Sequence, residues 1–251
     1  MGEITNLTPV TMYTITAKLM THIVDIVTTR FGEEGKASIQ AGVQQVVDEQ
    51  STELNGQLTE NMLFSFDKLF DDGKIETAFL AYSEAQKQAG KEPWTMFAIM
   101  AKLFAQIAKA IVERYGKEEG EKAMMDSVGA FGEERGRDIA RRAAAVGKPN
   151  TMDHYLSNYD MGRSDLFEYE TLFHPTEIEQ TFTKCAFAEQ WKKDGMEDFG
   201  ILYCHMIDPS IAKGFNPNFE VIHDQYVLKE GVCHFRFQMK EEDETKVEVS
   251  R

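Results

Sequence analysis

An α+β fold is predicted, with a helical N-terminal part followed by a small antiparallel sheet. Three observations predict it. Apolar residues recur at helical spacing through most of the first 150 positions. One helical stretch resembles another further along the chain. From about Asp165 the apolar period shifts toward two, the pattern of half-buried strands.

The first element runs from Met12 as MYTITAKLMTHIVDIVTTRFGEEG, and its likeness starts at Met96 as MFAIMAKLFAQIAKAIVERYGKEEG. Aligned without gaps, Met12, Ile15, Ala17, Lys18, Leu19, Ile23, Arg30, Gly32 and Glu34 fall on Met96, Ile99, Ala101, Lys102, Leu103, Ile107, Arg114, Gly116 and Glu118. Each copy reaches Arg-aromatic-Gly and runs into a second helical stretch. Glycine there suits a helix end that needs a left-handed residue. The expectation is a duplicated helical hairpin, each copy covering the other's apolar face. Chance likeness between amphipathic helices is the alternative.

Between the copies, residues 55–93 carry helical periodicity at Met62, Phe66 and Leu69, then at Ala78, Ala81 and Ala85. Two further helices separated by Asp71-Asp72-Gly73-Lys74 fit it. After the second copy, Arg135 to Ala145 reads as a basic-faced helix stopped by Gly147 and Pro149. Glu133, Glu134, Arg135, Arg137 and Asp138 fit a solvated face with salt-bridge spacing, or one Glu or Arg turned into a pocket.

In the sheet region, Phe167, Tyr169 and Phe173 share one face of a strand, and His174-Pro175 makes a turn. The next strand sets Ile178 and Phe182 against Thr181, Thr183 and Cys185. Residues 186–207 predict two helices hinged at Gly195. Residues 219–228, a Lys229-Glu230-Gly231 turn and residues 232–240 predict a second hairpin. Its last strand has Cys233, Phe235, Phe237 and Met239 on one face and His234 and Arg236 on the other. The tail 241–251 reads as disordered or a frayed edge. The expected organisation is 1–92 as a helical region holding the first copy, 93–150 as the second copy, and 151–251 as an α+β catalytic-like domain.

A formal charge of −15, from 27 basic and 42 acidic residues, argues against nucleic acid or anionic membranes as partners. No run approaches the roughly 18 apolar residues of a membrane span, and the start lacks a signal-peptide pattern. Three cysteines argue against a disulfide framework and for a cytoplasmic, reduced protein. Homo-oligomerisation through Phe97, Met100 and Phe104 is compatible with the pattern; core packing explains the same residues.

The cysteines carry the chemical interest. Cys204 and His205 project about 100° apart on a helix, and Cys233 and His234 point oppositely on a strand, so neither adjacency makes a dyad. A cross-element pair, Cys204 with His223 or His234, stays open. Cys204 and Asp208 share a helical face if the helix continues. Asp208-Pro209 equally fits a helix N-cap and first position. Each cysteine also fits a buried, small apolar role. Zinc is an alternative, but the spacings hold no C-x-x-C knuckle; no cofactor is expected. Nucleotide-binding and common hydrolase motifs are missing.

KCAFAEQWKKDGMEDFGILYCHMIDPSIAKGFNPNFEV followed by EGVCHFRF resembles the L-2-amino-thiazoline-4-carboxylic acid hydrolase family. The resemblance rests on Cys185, Phe187-Ala188-Glu189, Gly195, Cys204, Asp208, Gly214-Phe215-Asn216-Pro217, Gly231, Cys233 and Phe235, and spans the chain from about Trp94. Two departures stand out: one residue fewer between Gly231 and Cys233, and Pro209 directly after the Asp. The resemblance implies hydrolytic opening of a C–N or C–S bond in a small cyclic amidine or amide. It implies catalytic roles for Cys204, Cys233, Cys185 and Asp208, the last shuttling protons. A cation among Arg236, Arg163 and Arg135 would hold a substrate carboxylate, with Asn216 shaping the pocket wall and His234 beside it. A non-catalytic small-molecule-binding or sensor protein is the rival reading, as is a related enzyme acting on another ring.

Overall fold

Two glycines with positive φ set the helical half. The structure, a computed structural model, describes residues 8–162 and 164–240. Helix α1, Met12–Glu53, changes direction at Gly32 (φ 67°, ψ −155°), so it is two helices joined at one residue. Helices α3, Met96–Tyr115, and α4, Lys117–Ala145, are joined the same way at Gly116 (φ 83°, ψ 163°). A side chain is strained at such φ values, which explains glycine after Arg-aromatic in both copies.

The two bent units interlock through equivalent residues. Phe31 stacks on Tyr115 with ring centroids 3.8 Å apart and planes 3° from parallel. Arg30 pairs with Asp126 at 2.7 Å, and Arg114 with Glu34 at 2.8 Å. Lys18 reaches Glu134 of α4 at 3.0 Å, while Lys102 reaches Glu49 of α1 at 2.7 Å. Gly42 lets α1 approach α3 closely: a Cβ there would lie 2.6 Å from the Ile107 Cα. Met100 and Phe104 lie in this core, and Phe97 packs on Phe167 and Phe187.

Of the two helices expected between the copies, one forms: α2, Asp72–Gln88, capped by the Asp71 carboxylate on the Lys74 N–H. The stretch around Met62 and Phe66 makes only short 3-10 turns, 60–62 and 66–68. The reason is Gln50 on α1. Its buried amide donates to the Met62 carbonyl at 2.8 Å and accepts from the Phe64 N–H at 3.3 Å, which holds Leu63 extended.

Past α4 come a single helical turn α5, Met152–Tyr155, then β1, Phe167–Phe173, β2, Glu177–Cys185, α6, Ala186–Asp194, and α7, Glu197–Phe215. Strand β3, Phe219–Gln225, a one-turn helix α8, Val227–Glu230, and β4, Cys233–Met239, complete the described chain. The strands form one antiparallel sheet in the order β1-β2-β4-β3. The second hairpin was expected to run as strand to Leu228. Instead β3 is irregular between His223 and Gln225, and α8 follows, closed by the Glu230 carboxylate on the Tyr226 N–H and by Gly231 at φ 83°. Cys185 was expected opposite Ile178 and Phe182; it packs against the core because the pairing with β1 skips Thr183, a bulge that shifts the alternation by one residue just before α6.

Helix α7 links the halves. A Cβ on Gly136 would lie 2.1 Å from the Ile211 carbonyl oxygen, and one on Gly214 would lie 2.2 Å from that of Glu133. The α4 and α7 backbones therefore touch, and α7 also covers the apolar sheet face of Val221, Phe235 and Phe237. Pro209 lies inside α7, and the helix continues for six residues beyond it. Asp208 is therefore not an N-cap. An internal proline costs about 3 kcal/mol in an isolated helix, and packing of α7 on both sides offsets this.

Arg163, one of the expected cations, and the tail 241–251 lie outside the described residues.

Candidate active site

Because α7 passes through Pro209 unbroken, Cys204 and Asp208 lie one turn apart on the same face. Cys185 arrives where β2 becomes α6, and Cys233 where β4 begins. All three thiols are free. The four groups sit within electrostatic reach of one another. Burial pushes the Cys204 thiol well above its ordinary range, reinforced by Cys185, Cys233 and Asp208. Burial raises Cys185 to about 11, although the backbone of Ala188 and Phe187 at the start of α6 pulls the other way. Cys233 is raised to about 12 by burial; its Sγ accepts the Val227 N–H at 3.2 Å. All three are thus neutral thiols near pH 7.

Asp208 differs. Burial lifts its carboxyl to about 6, against the pull of the Arg135 guanidinium. A carboxyl with that midpoint can both accept and return a proton near neutral pH. Cys185, Cys204, Asp208 and Tyr159 combine heavy desolvation with accessible surface of their own. Side chains deep in protein that still carry accessible surface make these four the candidate lining of a recess.

Behind the recess stands a buried ion pair. Arg135 is 2% exposed, and it grips Asp160 through Nε at 2.8 Å and a terminal nitrogen at 2.6 Å. The solvated-face reading holds for Arg137, which pairs with Glu133 at the surface, but not for Arg135. Arg135 turns inward because α4 packs directly on α7 at Gly132 and Gly136, and the Phe131 and Tyr159 rings flank its guanidinium at 5.5 and 5.6 Å. With two donors committed to Asp160, Arg135 serves to hold that carboxylate and to bias Asp208. Tyr155, Tyr159 and Tyr203 complete the wall, their phenols raised first of all by burial, so they remain hydrogen-bond donors. These tyrosines were missed in the sequence. Tyr155 and Tyr159 lie in a short segment without periodicity, so no spacing along the chain marks them.

Three expected substrate-binding residues lie elsewhere. His234 and Arg236 are on the opposite sheet face from the thiols. There His234 bridges Asp224 and Glu179 at 2.6 and 2.7 Å, and Arg236 pairs with Asp224 at 3.7 Å. Strand alternation forces this, because Cys233 points inward. Asn216 caps the end of α7, donating to the Asn150 carbonyl at 2.9 Å and accepting the Asn218 N–H at 2.9 Å, which is a turn-forming role. His205 turns from Cys204 and sets its ring against Tyr226, 4.9 Å away. Among the described residues, no group of three or more His, Cys, Asp or Glu is placed to hold a metal ion, and no helix is long and apolar enough to cross a membrane.

The fold and site define a helix-rich α+β protein with a carboxylate and thiols gathered in a buried recess. The chain belongs to the L-2-amino-thiazoline-4-carboxylic acid hydrolase family, whose model matches residues 96–237, more than half of the 251-residue chain. That span takes in the second helical copy and every side chain of the recess; the first copy lies outside it. No curated protein matches the chain. Among solved structures, an oxygen-binding H-NOX domain related to soluble guanylate cyclases is 13% identical over 90% of this chain and 95% of that one, with a TM-score of 0.22. A structure concerned with haem redox potential and porphyrin distortion matches with the same identity, coverage and TM-score. Likeness at that TM-score carries no argument about fold or ligand.

Proposed function

We propose that this protein is a hydrolase that opens a small cyclic amidine or amide at a C–N or C–S bond, with Asp208 as the proton-transfer group. The observation that carries the reading is Cys204 and Asp208 on one face of α7, turned into a single buried recess in a chain of this family. The raised thiols favour water over a resting thiolate as nucleophile. The Asp208 carboxylate takes a proton from water as the oxygen bonds to the ring carbon between the heteroatoms. The C–S or C–N bond then breaks, and Asp208 returns the proton to the leaving sulfur or nitrogen. The Cys204 thiol and the phenols supply neutral donors along the wall and keep bulk water out. Arg135, held by Asp160, keeps part of the Asp208 population ionised. The reading needs no cofactor, takes a small-molecule substrate, and suits a reducing compartment because all three thiols are free.

The test is turnover of L-2-amino-thiazoline-4-carboxylate, followed by the appearance of ring-opened product. Asp208→Asn abolishes it and Cys204→Ser reduces it strongly. Retained turnover in both variants removes this mechanism. Tight binding by the wild type without turnover points instead to a binding protein.

A further inference from the structure

His223 lies on the sheet face that packs on α7, half-buried, and its surroundings are unusual. It lies on β3 opposite Phe235 of β4. Its ring packs against Tyr226, at 3.8 Å between centroids and tilted by 36°, and against Phe235, at 4.0 Å and tilted by 34°. Both ring nitrogens are shut away from solvent, and among the described residues neither makes a well-aligned hydrogen bond, the backbone of Cys204 and Gln225 offering only strained contacts. The carbonyls of Cys204 and Gln225 are near enough to favour its charged form, but burial dominates and pushes the imidazole down to about 4. The ring is therefore neutral near pH 7, with one N–H donor and one acceptor.

Poorly met hydrogen-bonding atoms are costly in a folded protein, and such groups call for a better partner. The position names that partner's place. Tyr226, packed on His223, is within electrostatic reach of Cys204, Asp208 and Cys233. The next residue, Val227, donates its N–H to the Cys233 sulfur. His223 thus belongs to the sheet-side wall of the recess, with Asp208 on the helix side. A phenylalanine would satisfy the packing as well as an imidazole does and would leave no polar atom poorly met. Nitrogen at this position is useful only if something enters to meet it.

We propose that His223 is a substrate-binding residue, the neutral donor and acceptor that engages the polar edge of a small planar ring entering the recess. This rests on the hydrolase reading above and adds the residue opposite Asp208. The ligand class follows from the wall: a small flat heterocycle whose edge, such as that of an amidine, offers a donor or an acceptor to one of the two ring nitrogens. Neutral His223 meets a cationic amidinium without charge repulsion.

The experiment uses 2-aminothiazole-4-carboxylate, the aromatic analogue whose ring resists opening, with the full-length protein. Its binding is followed by calorimetry and by the imidazole ¹⁵N signals, with those of His223 assigned through His223→Phe. The wild type binds the probe and the His223 signals move. His223→Phe melts no lower than wild type, because two poorly met polar atoms are gone, yet binds about tenfold to a hundredfold more weakly. Binding with unmoved His223 signals, or equal binding by His223→Phe, overturns the assignment and leaves the hydrolase reading standing. Binding with moved signals, but no opening of L-2-amino-thiazoline-4-carboxylate, keeps His223 as a ligand residue and sinks the hydrolase reading. No binding by the wild type removes both. Should His223→Phe fail to fold, the wild-type signals and His223→Gln, which keeps a donor and an acceptor and retains more affinity than His223→Leu, decide the matter.

Discussion

The two helical copies share a bend, a stacked aromatic and crossed ion pairs, yet among the described residues only the second lends a buried arginine to the candidate site. In the first, the residue aligned with Arg135 is Ser51, which lies near the end of α1. In the second, Arg135 lies mid-helix and points at α7. The difference comes from what lies alongside. Helix α4 presents Gly132 and Gly136 to α7, so the two backbones touch there. The first copy packs on α3, α4 and, more lightly, α2, and among the described residues α2 buries no charged side chain. A repeated scaffold thus became a site where glycine brought a second helix into backbone contact.

The sharpest break of that comparison is Asp208→Asn on the α7 side. Turnover falls by at least about 10²-fold, while stability at pH 7.5 rises by up to about 3 kcal/mol. The fold raises the Asp208 midpoint from its ordinary value to about 6. Between about pH 4 and 6 the folded protein therefore holds a proton that the unfolded chain has released. Stability falls as pH rises through that window and levels off above it. Thermal melts of wild type and variant at pH 4, 6 and 7.5 converge at the acid end; a constant gap across pH refutes the assignment. In the wild type, turnover rises with pH through the same midpoint.

Next comes Arg135→Ala, which leaves Asp160 charged and buried and costs about 3–5 kcal/mol. Ser51→Ala, its counterpart in the first copy, stays within about 0.5 kcal/mol. Denaturant titration of the two separates a site residue from a scaffold residue at equivalent positions. Equal effects would dissolve the contrast.

The two lysines make a smaller test. Lys102 is 7% exposed, pairs with both Glu49 and Asp194, and lies 4.8 Å from the centre of the Trp94 ring. Lys18, its counterpart, is 30% exposed. Lys102→Met costs about 2–4 kcal/mol because two carboxylates lose a buried partner, and Lys18→Met under about 1 kcal/mol. The smallest effect is also the most symmetric. Gly32→Ala and Gly116→Ala each cost about 1–2 kcal/mol, from backbone strain alone, since a Cβ at either site meets nothing within 4 Å. A large difference between them would mean that the bends are not equivalent.

Much of this was legible before the fold was known. The Arg-aromatic-Gly repeat located both bends, because a helix that ends there needs a residue free to take positive φ. Period-two runs located the strands and placed Cys233 inward and His234 outward. Even so, His234 and Arg236 were grouped with the inward thiols as pocket residues, although alternation had already turned them away. Asp208 and Pro209 were ambiguous for a sound reason: the dipeptide suits a cap and an interrupted helix equally, and the choice depends on packing that lies far away in the chain.

Local rules of geometry and solvation thus reached as far as most of the elements, their bends, the inward face of the last strand and the family likeness, because those depend on neighbours a few residues apart. The rest waited on long-range contact. Only α4 and α7 touching through Gly136 and Gly214 turned Arg135 from a surface charge into a buried one. Only the closing of α7 over the sheet removed water from Asp208, the three thiols and His223. Desolvation changes what each of these groups can do, and it is a property of what surrounds a residue in space, which no spacing along the chain records.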